Sequence, residues 1–178
     1  DNKAALLVYP ASMTLHHAFR SGFLEHTLSI MKLGAVAAHI YSVDRSLLLA
    51  GLALHDIGKL KELTPRLVTE YTDEGQLIGH IVLGRDMVRK AIRKIRGFPP
   101  DLRLKLEHII LAHQGRPEWQ SPRVPRFPEA FLVHMLDNLD AKLNMMQAII
   151  RDDSEAGNWT HRHHYFRIPL LKDGDETE

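Results

Sequence analysis

Two residues able to bind a metal ion stand side by side at the end of a leucine-rich run. His55 and Asp56 follow Leu47, Leu48, Leu49, Leu52 and Leu54. A carboxylate buried at such a position is costly unless something pairs with it, and a divalent cation is a natural partner. Gly58 lets the chain turn closely past the pair, and Lys59 follows within reach. Alone, the pair reads equally as a helix cap and a satisfied core histidine. Four further polar residues interrupt apolar-periodic stretches. They are His26 in LEHTLSI, His80 in GHIVLG, His113 in HIILAHQG and Asp137 in HMLDNLDAK. Each by itself fits a core or capping role. Taken together, such intrusions on separate helices can converge on one centre if the helices pack as a bundle. Four imidazoles and two carboxylates without a thiolate suit Mn, Fe, Zn or Mg in mixed nitrogen and oxygen coordination.

The chemistry such a centre suggests is phosphoester hydrolysis. Water on a divalent ion loses a proton near neutral pH and attacks phosphorus in line. The ions and Lys59 take up charge on the phosphoryl oxygens. No serine or cysteine nucleophile is needed. The chain has 0 cysteines and 12 histidines, which excludes disulfides, thiolate zinc sites and iron–sulfur clusters. It contains no P-loop, no GxSxG and no HExxH. The formal net charge is +1, so any affinity for nucleic acid must be local.

The elements that must position these residues read as almost entirely helical. At 178 residues the length predicts one domain. The expected fold is all-α, a bundle of about six main helices with a Pro-rich loop before the last long one. Helices are predicted over 22–39, 45–56, 77–95, 101–113 and 129–152. Asp44 and Asp101 are the expected N-caps of the second and fourth of these. Gly58 stands where a helix would stop. Residues 63–76 read as a connector, hairpin or irregular loop. Residues 115–128 hold four of the nine prolines and cannot be helix. The core is placed at 16–152 and a polar tail at 153–178. The longest apolar stretch, Leu47 to Leu54, is far short of a membrane span, and no targeting segment is visible. The expected location is the cytoplasm. Residue 1 is Asp, as in a piece of a longer protein.

Secondary candidates surround the centre. Arg85, Arg89, Arg93 and Arg96 share one helix face, either a phosphate-contacting stripe or an ordinary solvated one. His16, His17 and Arg20 precede the first ligand helix and could bind phosphate. Arg116, Trp119 and Ser121 lie in the Pro-rich loop, where Trp119 could stack on a base or pin the loop to the core. His134 stands one turn before Asp137 as an outer partner of the ligands. Asp140, one turn after it, could orient a ligand or bind Lys142. His161, His163 and His164 cluster in the tail, where a surface role is favoured over a metal site. Met145 and Met146 read as core.

The pattern H…HD…H…H…D in an all-helical chain resembles the HD-domain metal-dependent phosphohydrolases. The resemblance runs from about His16 to Asp140. The strings HHAFRSGFLEHTLSIMKL, LLLAGLALHDIGKLKEL, GHIVLG, LAHQGRPEWQSP and LDNLDAKLNMM together look like the catalytic domain of YhaM-type 3′→5′ exoribonucleases. The resemblance implies that His26, His55, Asp56 and Asp137 are the core metal ligands. It implies that His80 and His113 serve a second ion, with Asp56 bridging, and that Lys59 contacts substrate phosphate. Asp56, Lys59 and His80 are assigned to catalysis, and Lys59, His17, Arg20, Arg116 and Trp119 to substrate binding. One or two divalent ions are implied, manganese first, with Fe, Mg, Zn, Co and Ni as alternatives.

The chain departs from the family pattern in places. Gln114 stands where many two-metal members have a second histidine, which implies a weakly held second ion. Gly22 replaces the glutamate of three-metal relatives. The GYP signature of cyclic-dinucleotide phosphodiesterases is missing, since Arg116-Pro117-Glu118-Trp119 follows Gly115. In the resembled family an OB-fold module usually precedes the HD domain; it does not fit before His16, so it is absent or lies upstream. The expected activity is 3′→5′ exonucleolytic cleavage of single-stranded nucleic acid, RNA ahead of DNA. The alternatives are a nucleotidase acting on small nucleotides and a non-catalytic metal- or nucleotide-binding module. The oligomeric state is not legible.

Overall fold

A computed structural model describes residues 22–64, 69–162 and 165–172. Its helices are α1 (Gly22–Tyr41), α2 (Arg45–Leu54), α3 (Lys59–Glu62), α4 (Asp73–Ile78), α5 (His80–Ile92), α6 (Pro100–Ala112) and α7 (Pro128–Asp152), with a 3-10 turn at Pro117–Trp119. The all-α expectation holds, and the only β pairings among the described residues are isolated bridges such as Leu63 with Tyr71. No helix among the described residues is long and apolar enough to cross a membrane. His16, His17, Arg20, His163 and His164 lie outside the described residues.

Helix α2 is the central element, packed on α1, α6 and α7, while α5 lies against α6 and α3. The Asp44 side chain accepts from Leu47 N at 3.0 Å, as its N-cap position predicts. Its own N–H donates to Glu129 Oε1 at 2.9 Å, which ties the start of α2 to the first turn of α7. Ile30, Leu48, Leu52, Ile109, Ile110 and Val133 are fully buried where α1, α2, α6 and α7 meet. That leucine-rich run is therefore the floor of the bundle. Burying side chains of this size contributes about 1.5–3 kcal/mol each.

Three boundaries differ from the sequence expectation. The helix predicted over 77–95 is two helices, because Gly79 adopts φ +78° between Ile78 and His80. That left-handed backbone is nearly free for glycine and breaks the continuous apolar period. The preceding connector contains α4, whose Thr72 cap accepts from Gly75 N at 2.9 Å. The fourth expected helix starts at Pro100, not after Asp101. Proline fits the first helical position because its missing N–H is not needed there, and Asp101 instead lies in the first turn, where the helix dipole favours a carboxylate.

Candidate metal centre

Gly58 governs the geometry of the centre, and not as a helix stop. Its φ is −65°, ordinary for any residue. What the position cannot accept is a side chain: a Cβ would lie 1.9 Å from His80 O and 2.6 Å from Gly84 N. The turn after α2 and the first turn of α5 thus touch backbone to backbone, bringing His80 over His55-Asp56.

Each histidine is held by one ring nitrogen and presents the other. His55 Nδ1 donates to Leu52 O at 2.9 Å and His113 Nδ1 to Ile110 O at 2.8 Å. His26 Nδ1 donates to Asp140 Oδ2 at 2.8 Å, and His80 Nδ1 to Glu62 Oε1 at 3.0 Å. A carbonyl or carboxylate partner fixes the Nδ1–H tautomer, leaving Nε2 free to ligate. All four Nε2 atoms face the same two carboxylates. His26 Nε2 lies 3.2 Å from Asp137 Oδ1, while His80 Nε2 and His113 Nε2 each lie 3.4 Å from Asp56 Oδ1. His55 Nε2 is 3.4 Å from Asp56 Oδ2 and 3.7 Å from Asp137 Oδ1. The ligand atoms form two sets, His26–His55–Asp56 and Asp56–His80–His113, each within 4.8 Å and sharing Asp56.

The donor set fits divalent cations. His55 Nε2, His80 Nε2 and Asp56 Oδ1 are buried yet make no hydrogen bond among the described residues. Buried polar atoms left in that state are costly unless a ligand completes them. The charge state points the same way. Burial alone would push Asp56 and Asp137 up, but Lys59 and His55 beside Asp56, and His55 and His26 beside Asp137, hold both well below the usual carboxylate range. Burial would lower His55, yet the two carboxylates raise it to about 10. His113 is pushed down by burial more than Asp56 lifts it, so it stays a neutral imidazole. The carboxylates thus demand positive charge, which protons or metal ions can supply.

Lys59 is buried, with Nζ 2.5 Å from Asp56 Oδ2. A cavity of about 90 Å³ opens here, lined by Asp56, Lys59, His113, Gln114, Trp119 and Asn138 among others. Trp119 therefore reaches the mouth, with the Arg116 guanidinium 5.1 Å from its ring centroid. Asp140 orients His26 rather than binding Lys142 among the described residues, and it also accepts from Ser29 Oγ. His134 Nδ1 donates to the main-chain oxygen of His113 at 2.8 Å, so it holds that backbone and not the imidazole.

Glu62 escaped the sequence reading, and Lys142 entered it only as a partner for Asp140. Glu62 takes both His80 N, at 2.9 Å, and His80 Nδ1, so it caps α5 and aims the ring; in KLKEL it looks like a surface residue. Lys142 Nζ lies 5.2 Å from the Trp119 centroid. The arginine stripe is partly consumed. Arg89 forms a fork on the Glu107 carboxylate, with Nε at 2.9 Å, and Arg85 lies 3.3 Å from Asp86.

A helical bundle whose candidate ligand histidines and aspartates come from separate elements around a His-Asp pair defines the class. The HD domain family matches residues 23–142, and the chain belongs to that family. HD domains bind divalent metals, and the His/Asp groups here could hold them. The chain is 43% identical over 155 residues to the 3′-5′ exoribonuclease YhaM of Bacillus licheniformis, covering 86% of this chain and 49% of that protein. It is 41% identical over 162 residues to the protein of the same name from Bacillus subtilis, covering 90% and 51%. The chain thus spans about half the length of the curated relatives it matches. No solved structure matches it significantly.

Proposed function

We propose that this domain is a metal-dependent phosphodiesterase that removes nucleotides from the 3′ end of single-stranded RNA. The observation that carries this reading is the pair of ligand sets sharing Asp56, with every imidazole locked by Nδ1 and aimed by Nε2. The 3′-5′ exoribonuclease relatives supply the substrate class. In this reading His26, His55, Asp56 and Asp137 hold one divalent ion, and Asp56, His80 and His113 hold a second. Manganese is the proposed metal and the cytoplasm the proposed compartment. Residues 16–152 form the proposed catalytic unit.

Divalent ions bound there supply Lewis-acid charge to the phosphoryl oxygens and lower the pKa of the attacking water. The protein's own side chains do the rest. Asp56 places one oxygen toward each ligand set. Lys59 moves from Asp56 onto a phosphoryl oxygen as negative charge develops. Glu62 keeps His80 from turning away. Trp119 and Arg116 receive the substrate at the mouth, joined in this proposal by His17 and Arg20.

The test is a time course on 5′-labelled single-stranded RNA with Mn²⁺, resolved on a gel. A descending ladder that EDTA stops is expected. Internal cuts, or turnover only of mononucleotides, would replace this reading with an endonuclease or a nucleotidase.

A further inference from the structure

We propose that Lys142 and Arg116 form a phosphate clamp on Trp119. The clamp would grip the RNA backbone beyond the scissile phosphate and make chain length part of the specificity. This inference rests on the RNA reading above and assigns Lys142 a role there.

The first argument is volume. The cavity over Asp56, Lys59 and His113 measures about 90 Å³. Sites that enclose a small molecule usually occupy roughly 300–1,000 Å³. The space admits a phosphoryl group but not the nucleoside attached to it. Most of a substrate must therefore lie outside, across the rim, and the rim decides what is held.

The second argument is charge. Lys142 Nζ and the Arg116 guanidinium lie 5.2 and 5.1 Å from the same indole centroid. Arg116 comes from the loop after α6 and Lys142 from α7, so the fold brings two like charges to one ring. The face of an indole attracts cations but does not neutralise them. Neither cation forms an ion pair among the described residues. Other cations around the centre are already engaged: Lys59 on Asp56, Arg85 at Asp86 and Arg89 on Glu107. Two cations with no ion pair among the described residues, beside a phosphoester centre, are complementary to the neighbouring phosphates of a polyanion.

The third argument is rigidity. The Trp119 ring packs 6.0 Å, centroid to centroid, from His134, whose Nδ1 is bonded to His113 O. Gly115 lies so close to that imidazole that a Cβ would be 2.2 Å from its Cε1. His134 is therefore a positioning residue: it sets the height of the clamp relative to the ligand His113.

The test separates binding from chemistry. Affinity for a fluorescent oligoadenylate is measured in EDTA, and hydrolysis of that oligomer and of bis(p-nitrophenyl) phosphate is measured with Mn²⁺. Lys142→Gln and Arg116→Gln are each expected to weaken oligomer binding about 5- to 10-fold, and to flatten the salt dependence of log K by about 0.7 per cation removed. The loss in kcat/KM on the oligomer should appear mainly in KM and exceed the loss on the small diester about 5-fold or more. Lys142→Arg should bind close to wild type, and Lys105→Gln, an exposed lysine elsewhere, should not weaken binding. Unchanged affinity in both Gln variants, or equal losses on the two substrates, would overturn the clamp. If wild type cleaves the small diester but neither binds nor degrades the oligomer, the RNA reading falls and the clamp with it. If wild type degrades RNA and the variants bind normally, only the clamp falls.

Discussion

The same four helices carry two layers of opposite character. In the lower layer Ile30 of α1, Leu48 and Leu52 of α2, Ile109 and Ile110 of α6 and Val133 of α7 are buried against one another. About one turn away along each chain stand His26, His55-Asp56, His113 and Asp137. The lower layer needs no partner from outside, since close-packed aliphatic side chains satisfy themselves. In the upper layer the imidazoles are held at Nδ1, while His55 Nε2 and Asp56 Oδ1 make no hydrogen bond among the described residues. The contrast teaches that stability and chemistry are carried by adjacent turns of the same elements. Damage to one layer should therefore be readable separately from damage to the other.

The sharpest break falls on the shared carboxylate. Asp56→Asn should lower hydrolysis by more than about 10³-fold, because loss of an outer partner alone typically costs 10–100-fold. Calorimetry should show metal binding gone while circular dichroism keeps the helical signal; retained turnover would refute the assignment of Asp56. Lys59→Met is expected to slow turnover about 10²- to 10³-fold, as removal of one charge-stabilising donor does. It should retain metal, so loss of metal in that variant would contradict a purely phosphate-directed lysine.

In the lower layer, Leu52→Ala should reverse the pattern. Leu52 fits a notch made by Gly34, where a Cβ would lie 2.3 Å from Leu52 Cδ1. The cavity should cost about 2–5 kcal/mol in denaturant unfolding. Activity per folded molecule should stay near wild type; a collapse in kcat at unchanged stability would show that the layers are coupled. Metal supplies a further measure. At 100 times its Kd, Mn²⁺ should add about 2.7 kcal/mol of stability, and Asp56→Asn should abolish that gain.

The smallest effect is expected at the ion pair that links α5 to α6. The Arg89 guanidinium holds the Glu107 carboxyl below its usual range. A carboxyl depressed in the folded state stabilises the protein above its unfolded pKa, about 4.3, and loses that contribution as pH falls through the lower folded value. The Tm gap between wild type and Glu107→Gln should hold from neutral pH to about 5 and close progressively below about 4. A gap that persists at low pH would mean that packing, not charge, links α5 to α6.

The candidate metal centre was more legible than the surroundings that orient it. A histidine inside LEHTLSI or HIILAHQG by itself fits a core or capping role; what stands out is several such donors on separate elements that can converge in one bundle. Glu62 and Lys142 did not stand out, since a charged residue in KLKEL or DAKLN is what any solvated helix shows. The spacing of Arg89 left a phosphate stripe and an ordinary solvated face both open, and neither reading contained its partner Glu107, 18 positions away. Gly58 was noticed for a turn, whereas its missing Cβ serves the contact with α5.

The sequence by itself determined the donor types, the all-α class and the apolar floor, because residue chemistry and helical period are local properties. Only the tertiary structure decided which nitrogen of each histidine faces inward and which cations have an ion-pair partner among the described residues. It also decided how near α5 can come to Asp56. Those outcomes depend on partners distant along the chain, such as His26 with Asp140 across 114 positions, and no local pattern records such a pairing.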